Sequence, residues 1–395
     1  MVDINLLFVV LQSAGFSAAC IAFALCLVQW RYGPAYVMLG LMFLALAISE
    51  LSVMFEITVA DPPETARDVL RMTSYFSTFF IAPLFLFYVR LLTGSESICA
   101  RRGLWFHMAL PALSFIVAAG FLTLPPDIRT AIFEGPAFAT LPNAGKTSAL
   151  ALVVMEGLIY CQWLLYVPWV LRVQVQHKAR LRDLFASTEV FETRWVIGTA
   201  LFLGFYAALC FADFMAGLVY DIDILGHVLD AFMVLVIVSI FMLWGLRQSP
   251  GLHGPREAVH QAITAPHSKY ERSALADTHA DRIERKLRVA MQQEHLYRDP
   301  NLSLWTLSQH IGATTNYVSQ TLNERVGQSF FDYVNGWRIE EAKPLIRRGE
   351  QTVLAIAYEV GFNSRSSFYA AFKKQTGVTP TAYKSAPGAL EVAPG

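Results

Sequence analysis

The sequence predicts an all-α chain in two parts, a polytopic transmembrane bundle of seven helices followed by a smaller cytoplasmic region with two helix-turn-helix units. Three observations predict it. Over 395 residues the chain is 55% hydrophobic and only 16% charged, too apolar and too long for one ordinary soluble domain. Seven apolar runs each reach the length of about 20 residues that a hydrocarbon core requires. Near the C-terminus, a pattern of short helix, glycine and second helix occurs twice.

The apolar runs are Leu6–Trp30, Ala35–Ile57, Val69–Leu92, Leu104–Leu124, Ser148–Leu171, Trp195–Val219 and Ile224–Leu246. A buried soluble helix seldom runs so long without charge, which favours the membrane reading. The first run is not expected to be a cleavable signal, since no basic stretch precedes it and its apolar core is too long. Lys and Arg in the short loops set the orientation. With the N-terminus outside, Arg31, Arg90, Arg101, Arg102, Arg172, Lys178, Arg180, Arg182, Arg194 and Arg247 fall on the inner side, and only Arg67, Arg71, Arg129 and Lys146 outside. The expected location is therefore the cytoplasmic (inner) membrane, multi-pass, with the C-terminal region in the cytoplasm.

The net charge of zero hides an asymmetry. Residues 1–250 hold 14 Lys and Arg against 17 Asp and Glu, whereas residues 281–395 hold 14 against 11. An acidic front precedes a mildly basic back. All five cysteines (Cys20, Cys26, Cys99, Cys161, Cys210) lie in the front without a short Cys-x-x-Cys spacing, so neither a zinc site nor a disulfide framework is indicated. Residues 1–247 form the expected membrane region and 248–279 a linker, with 280–388 a helical domain and 389–395 a tail. The linker is rich in Pro, Gly and His, but His253, His260, His267 and His279 are too evenly spread for a compact metal site.

From Ala280 the pattern turns helical and soluble. Ile283, Leu287, Ala290 and Met291 recur at three- and four-residue steps, Pro300 breaks the chain, and Asn301 or Ser303 can cap the next helix. Leu307, Ile311 and Gly312 then find partners in Ile356, Val360 and Gly361 at a constant offset of 361 − 312 = 49. Each glycine can take the left-handed conformation of a sharp turn, and Ser308 or Ala357 leaves room for a crossing helix. The second helices point Val318 and Leu322 inward in one copy and Phe368 and Phe372 in the other. These lie 6 and 10 residues past Gly312 but 7 and 11 past Gly361, so the second turn is one residue longer. Phe330, Tyr333, Val334, Trp337, Ile339 and Ala342 trace a long connecting helix, in which Pro344 predicts an end or kink near Lys343. Two such units can enter successive major grooves about 34 Å apart.

The stretches LSLWTLSQHIGATTNYVSQTLNERVGQSFFDYVNGWRIEEAK and VLAIAYEVGFNSRSSFYAAFKKQTGVTPTAY resemble the AraC/XylS family of bacterial transcriptional regulators. The likeness covers Leu302 to Lys384, about a quarter of the chain, and a smaller group within that family carries a multi-span membrane front. What it implies is a sequence-specific reader of double-stranded DNA. Its first recognition helix corresponds to Thr314–Asn323, with Thr315, Asn316, Ser319 and Gln320 at base-reading positions. The second corresponds to Ser364–Lys374, with Arg365, Ser366 and Tyr369 reading and Arg365 suited to guanine. Phosphate anchoring falls to Arg325, Arg338, Lys373 and Lys374. Ala370 stands where relatives often carry a larger polar or basic residue.

Blander readings stand beside these. Asn316 and Ser319 also fit a solvated surface, and Lys373 and Lys374 an ordinary charged face. Trp305, Phe330, Phe362, Phe368 and Phe372 read as core rather than stacking platforms. Glu50, Glu56, Glu156, Asp213, His227 and Asp230 lie in or near the apolar runs, where ionisable groups are costly unless paired or facing a cavity. Glu156, Asp213 and Asp230 lie deepest, as an intramembrane sensing cluster or as a hydrogen-bond network packing the helices.

No His-Glu-x-x-His, phosphate-cradling glycine loop or Gly-x-Ser-x-Gly motif occurs, so no enzyme, metal or cofactor is expected. The expected function is a membrane-embedded transcriptional regulator coupling a membrane signal to transcription, with DNA, the bilayer, RNA polymerase, a signal ligand and a second copy of the chain as partners. The alternative is a membrane receptor or carrier whose tail is a protein-interaction module. Proteolytic release of the tail at the linker is a third course.

Overall fold

The computed structural model describes residues 4–94, 101–134, 138–188, 193–220, 226–247 and 277–385. Residues 248–276 of the expected linker at 248–279, the tail at 389–395 and Cys99 lie outside them. Among the described residues the fold is helical, and the one β pairing is an isolated antiparallel bridge between Phe185 and Ser303.

The apolar front forms helices α1 (Ile4–Gln29), α2 (Pro34–Thr58), α3 (Glu64–Leu92), α4 (Arg101–Leu122), α5 (Pro126–Glu134), α6 (Asn143–Leu184), α7 (Arg194–Tyr220) and α8 (Gly226–Ile240), the last running into a π-turn at Phe241–Gly245. All but α5 are long and apolar enough to cross a membrane. Pro34 opens α2 at a position whose N–H has no intrahelical acceptor to lose. Leu27, Val28, Trp105, Ile116, Leu165 and Phe205 are exposed on the outward faces. These helices thus carry apolar side chains on their outer as well as their inner sides. Inside, Leu39, Met42, Phe43, Phe85, Leu86 and Phe241 are buried together, with the Phe85 and Phe241 rings 5.2 Å apart and near perpendicular.

Helix α6 differs from expectation. Its apolar run ends at Leu171, yet the helix continues to Leu184, 42 residues in all and roughly 63 Å at the α-helical rise. The extension, RVQVQHKARLRDL, mixes charged and polar residues with apolar ones, and Val173, Gln174, His177 and Leu181 along it are buried.

The described residues group into two compact units, Met1–Gln174 with Arg194–Thr264, and Val175–Thr193 with Ala265–Gly395. The second contains α9 (Asp277–Gln292), α10 (Leu304–Ile311), α11 (Thr315–Thr321) with a π-turn at Leu322–Val326, α12 (Phe330–Arg348), α13 (Val353–Glu359), α14 (Arg365–Thr376) and α15 (Pro380–Ser385). Two cores lie along α12. Leu287, Met291, Leu307, Val318, Leu322, Phe330 and Val334 fill one, and Ile339, Ile346, Ile356, Val360, Phe368 and Phe372 the other.

Pro344 does not end the helix, because α12 runs from the Ser329 cap to Gly349. Pro344 and Glu340, whose carbonyl loses its N–H partner, both lie on the exposed side, where water can take the place of the missing bond.

Candidate nucleic-acid interface

The two glycine-stopped turns form as the repeat predicts. Ser303 caps α10 by accepting from the Thr306 N–H at 3.1 Å, and Thr306 Oγ1 accepts from the Ser303 N–H at 3.2 Å. The helix stops at Gly312 with φ +63°, and Thr314 caps α11 two residues later. In the second copy Thr352 caps α13, Gly361 takes φ +97°, and Ser364 caps α14 three residues on. The extra residue in the second turn is Asn363 or its neighbour Phe362, whose N–H donates to the Ala357 carbonyl at 2.9 Å.

Gly361 has a second reason to be glycine. A Cβ there would stand 2.7 Å from the carbonyl oxygens of Tyr297 and Arg298, both backbone atoms that cannot swing away. The second turn thus presses on the segment leading into α10, and Asn363 Nδ2 donates to the Pro300 carbonyl at 3.0 Å. Lys374 pairs with Asp332 at 2.7 Å, Gln375 Nε2 donates to Glu340 at 2.7 Å, and Arg298 pairs with Glu341. The two units are braced against one another and against α12.

The proposed reading residues fall on the two second helices. Asn316 is exposed on α11, with Thr315, Ser319 and Gln320 half-buried beside it. Gln320 Nε2 donates to Glu324 at 3.0 Å, and Asn323 Nδ2 to Ser319 Oγ at 3.5 Å. On α14, Arg365 and Ser366 are exposed and Tyr369 half-buried. The Arg365 guanidinium lies 5.0 Å above the Tyr369 ring and donates to its hydroxyl at 3.4 Å. The Tyr369 hydroxyl is 3.0 Å from Thr381 Oγ1, and this bond, with Arg365 adjoining, holds the phenol pKa below its ordinary value. Thr381 is an addition to the expected site; the only signal for it is its place in the TPTAY stretch that ends the second motif. Ala370 is exposed beside these groups and offers no polar contact.

Arg325, Lys373 and Lys374 are exposed, as phosphate anchors require. Arg325 lies 3.5 Å from Asp281, and such surface pairs hold a cation too weakly to deny it to a phosphate.

Arg338 corrects the expectation. It is 0% exposed, and its fork donates to the carbonyls of Tyr297 (2.6 Å), Asp299 (2.8 Å) and Ala186 (3.4 Å), to Asn335 Oδ1 (3.1 Å) and to Ser187 Oγ (3.3 Å). A guanidinium enclosed in this way cannot reach a phosphate. Trp305 also departs, since it is 47% exposed while Phe330, Phe362, Phe368 and Phe372 are buried as expected.

Residues 307–386 match the helix-turn-helix domain family. A Streptomyces lividans protein named as an AraC-like transcription regulator is 38% identical over 103 residues, 25% of this chain and 33% of that one. An uncharacterized HTH-type transcriptional regulator of Staphylococcus aureus (strain COL) is 36% identical over 90 residues, 23% of this chain and 12% of its own length. Among solved structures, the C-terminal domain of AraT, a response regulator from Geobacillus stearothermophilus, aligns with 29% of this chain and 91% of that domain at 24% identity and a TM-score of 0.25. The chain spans a third or less of the length of these two relatives. Its C-terminal part, residues 307–386, is a helix-turn-helix domain, similar in sequence to a part of these transcription regulators.

Proposed function

We propose that the chain is a membrane-embedded, sequence-specific transcriptional regulator in which the seven long helices lie in the inner membrane and receive a signal. The helix-turn-helix domain answers that signal at DNA. The observation that carries this reading is the presence, on one chain, of seven helices with apolar outward faces and a paired helix-turn-helix domain. The excess of Lys and Arg in alternate loops favours a cytoplasmic domain. Thr315, Asn316, Ser319 and Gln320 on α11, with Arg365, Ser366 and Tyr369 on α14, are the proposed base readers, and Arg325, Lys373 and Lys374 the phosphate anchors. RNA polymerase and a second copy of the chain are the proposed protein partners.

The proposed receiving element is the polar set among α1, α2, α6, α7 and α8. Tyr160 donates to Glu156 at 2.7 Å, Tyr206 to Asp230, and Gln12 to Glu50. Asp213 lies on α7 and Asp230 on α8. Glu50 and Asp230, each held from a neighbouring helix by a single donor, link helix packing to anything that changes their charge or partners, while the Tyr160–Glu156 bond lies within α6.

Sequencing of DNA crosslinked to the full chain in cells, with the membrane fraction assayed in parallel, tests the whole reading. It expects discrete genomic sites bound by protein recovered with membranes. Deleting residues 1–247 should abolish or lock the response of the genes at those sites, and an unchanged response would overturn the coupling.

A further inference from the structure

Residues 185–188, which follow α6, are built into the helix-turn-helix domain. Ala186 is buried in the same core as Leu302, Leu304 and Leu307, and Leu184 packs against it. Phe185 pairs with Ser303 in the isolated antiparallel bridge, and the Ala186 N–H donates to the Leu302 carbonyl at 3.2 Å. The Ala186 carbonyl in turn accepts from Asn335 Nδ2 at 3.1 Å and from Arg338 Nη1. The Arg182 guanidinium lies 5.1 Å above the Phe331 ring at the start of α12. Ser187 and Thr188 are buried.

Arg338 gives this contact its consequence. Its Nη1 donates to Ala186, Ser187 and Asn335, and the first two of these belong to the segment. Without them a buried cation keeps its desolvation cost but loses part of its bonding, and truncating such partners is strongly destabilising. The same guanidinium donates to the carbonyl of Tyr297, which faces Gly361 in the second turn, and to that of Asp299, and lies 5.4 Å from the Phe362 ring. Loss of the segment therefore falls on the first unit and on its junction with the second.

We propose that residues 182–188 act as a clip that completes the first helix-turn-helix unit, and that withdrawing the clip loosens this unit and weakens its hold on DNA. The second half rests on the DNA-reading function proposed above. The clip is covalently continuous with α6, one of the seven helices long enough to span a bilayer, and no linker intervenes between Leu184 and Phe185. A shift of α6 reaches Ala186 directly.

The test uses the full chain in vesicles of phosphatidylethanolamine and phosphatidylglycerol, with amide hydrogen exchange as the readout. Replacing Phe185–Thr188 by Gly-Ser-Gly-Ser should speed exchange in α10 and in the first half of α12 by about tenfold or more, with α13 and α14 unchanged. Affinity for mixed-sequence duplex DNA should fall at least about fivefold. Ser187→Ala removes one acceptor only, and should give roughly threefold faster exchange confined to the same helices. Exchange like the original in both variants, or in Ser187→Ala an increase spread evenly over both units, overturns the clip. Local loosening with undiminished DNA affinity overturns its DNA half. An original chain that shows the protection but binds no DNA defeats the proposed function together with that half, while the exchange result still decides the clip.

Discussion

Asn363 donates its side-chain amide to the Pro300 carbonyl, tying the turn of the second helix-turn-helix unit to the strand of chain that enters the first. The spacing of the two units is therefore set by direct contact as well as by α12. Gly361 stands at the closest point of that contact, against the carbonyls of Tyr297 and Arg298.

Gly361→Ala should accordingly be among the most damaging single-methyl changes in the domain. The added carbon meets two fixed backbone oxygens and the φ of +97° is strained for any other residue, which together cost about 2–4 kcal/mol. Gly327→Ala is the control. It shares a positive φ but has open space around it, so it should cost only about 1 kcal/mol. Urea unfolding monitored by exchange of the α13 and α14 amides measures both, and equal costs would mean the close approach is not rigid.

Arg338→Lys keeps the charge but loses the fork that reaches Tyr297, Asp299, Ala186, Ser187 and Asn335, and should destabilise the domain by about 3 kcal/mol. Because the side chain is enclosed, the salt dependence of DNA binding should keep its slope. A shallower slope in the folded variant would restore Arg338 to the phosphate contacts.

Arg365→Ala should behave in the opposite way. The residue is exposed and its hydrogen bond is to Tyr369 at 3.4 Å, so stability should move by no more than about 0.5 kcal/mol. DNA affinity should drop by about 1–3 kcal/mol with relaxed preference at one base pair. Binding titrations over a panel of single-base variants read this, and a chain that never bound DNA would point to the protein-interaction alternative.

The sequence is most legible where a physical requirement is local. Apolar length is a property of composition, so all seven long helices stand out in the residue pattern. The glycine stops of α10 and α13 are equally plain, since a left-handed turn leaves its mark on one residue. Arg338 departs from its sequence reading because burying a whole guanidinium takes acceptors from Tyr297, Asp299 and Ala186, positions up to 152 residues away that no local pattern announces. The continuation of α6 past Leu171 is hidden for a different reason. Hydropathy changes there while helix propensity does not, and apolar length tracks hydropathy alone. At the candidate interface the helix faces are readable from periodicity, but not the Arg365–Tyr369–Thr381 chain, whose last member comes from α15.

Arg325→Gln, Lys373→Gln and Lys374→Gln should each weaken binding about equally across sequences and lower the slope of log affinity against log salt by about 1. Lys374→Gln also breaks an exposed pair with Asp332, which contributes little to stability. Titrations between low and physiological salt measure the slopes. A change in base preference in any of the three would move that residue from anchoring to reading.

The bridge between Phe185 and Ser303 makes the reader's wall discontinuous in sequence. A protease cutting the connector at 248–276 would free a fragment that leaves Ala186 and Ser187 behind, with Arg338 short of two acceptors. Such a fragment would be a poor messenger, prone to unfolding and degradation before it found its sites. Anyone moving this reader onto another protein has to transplant two stretches of chain rather than one.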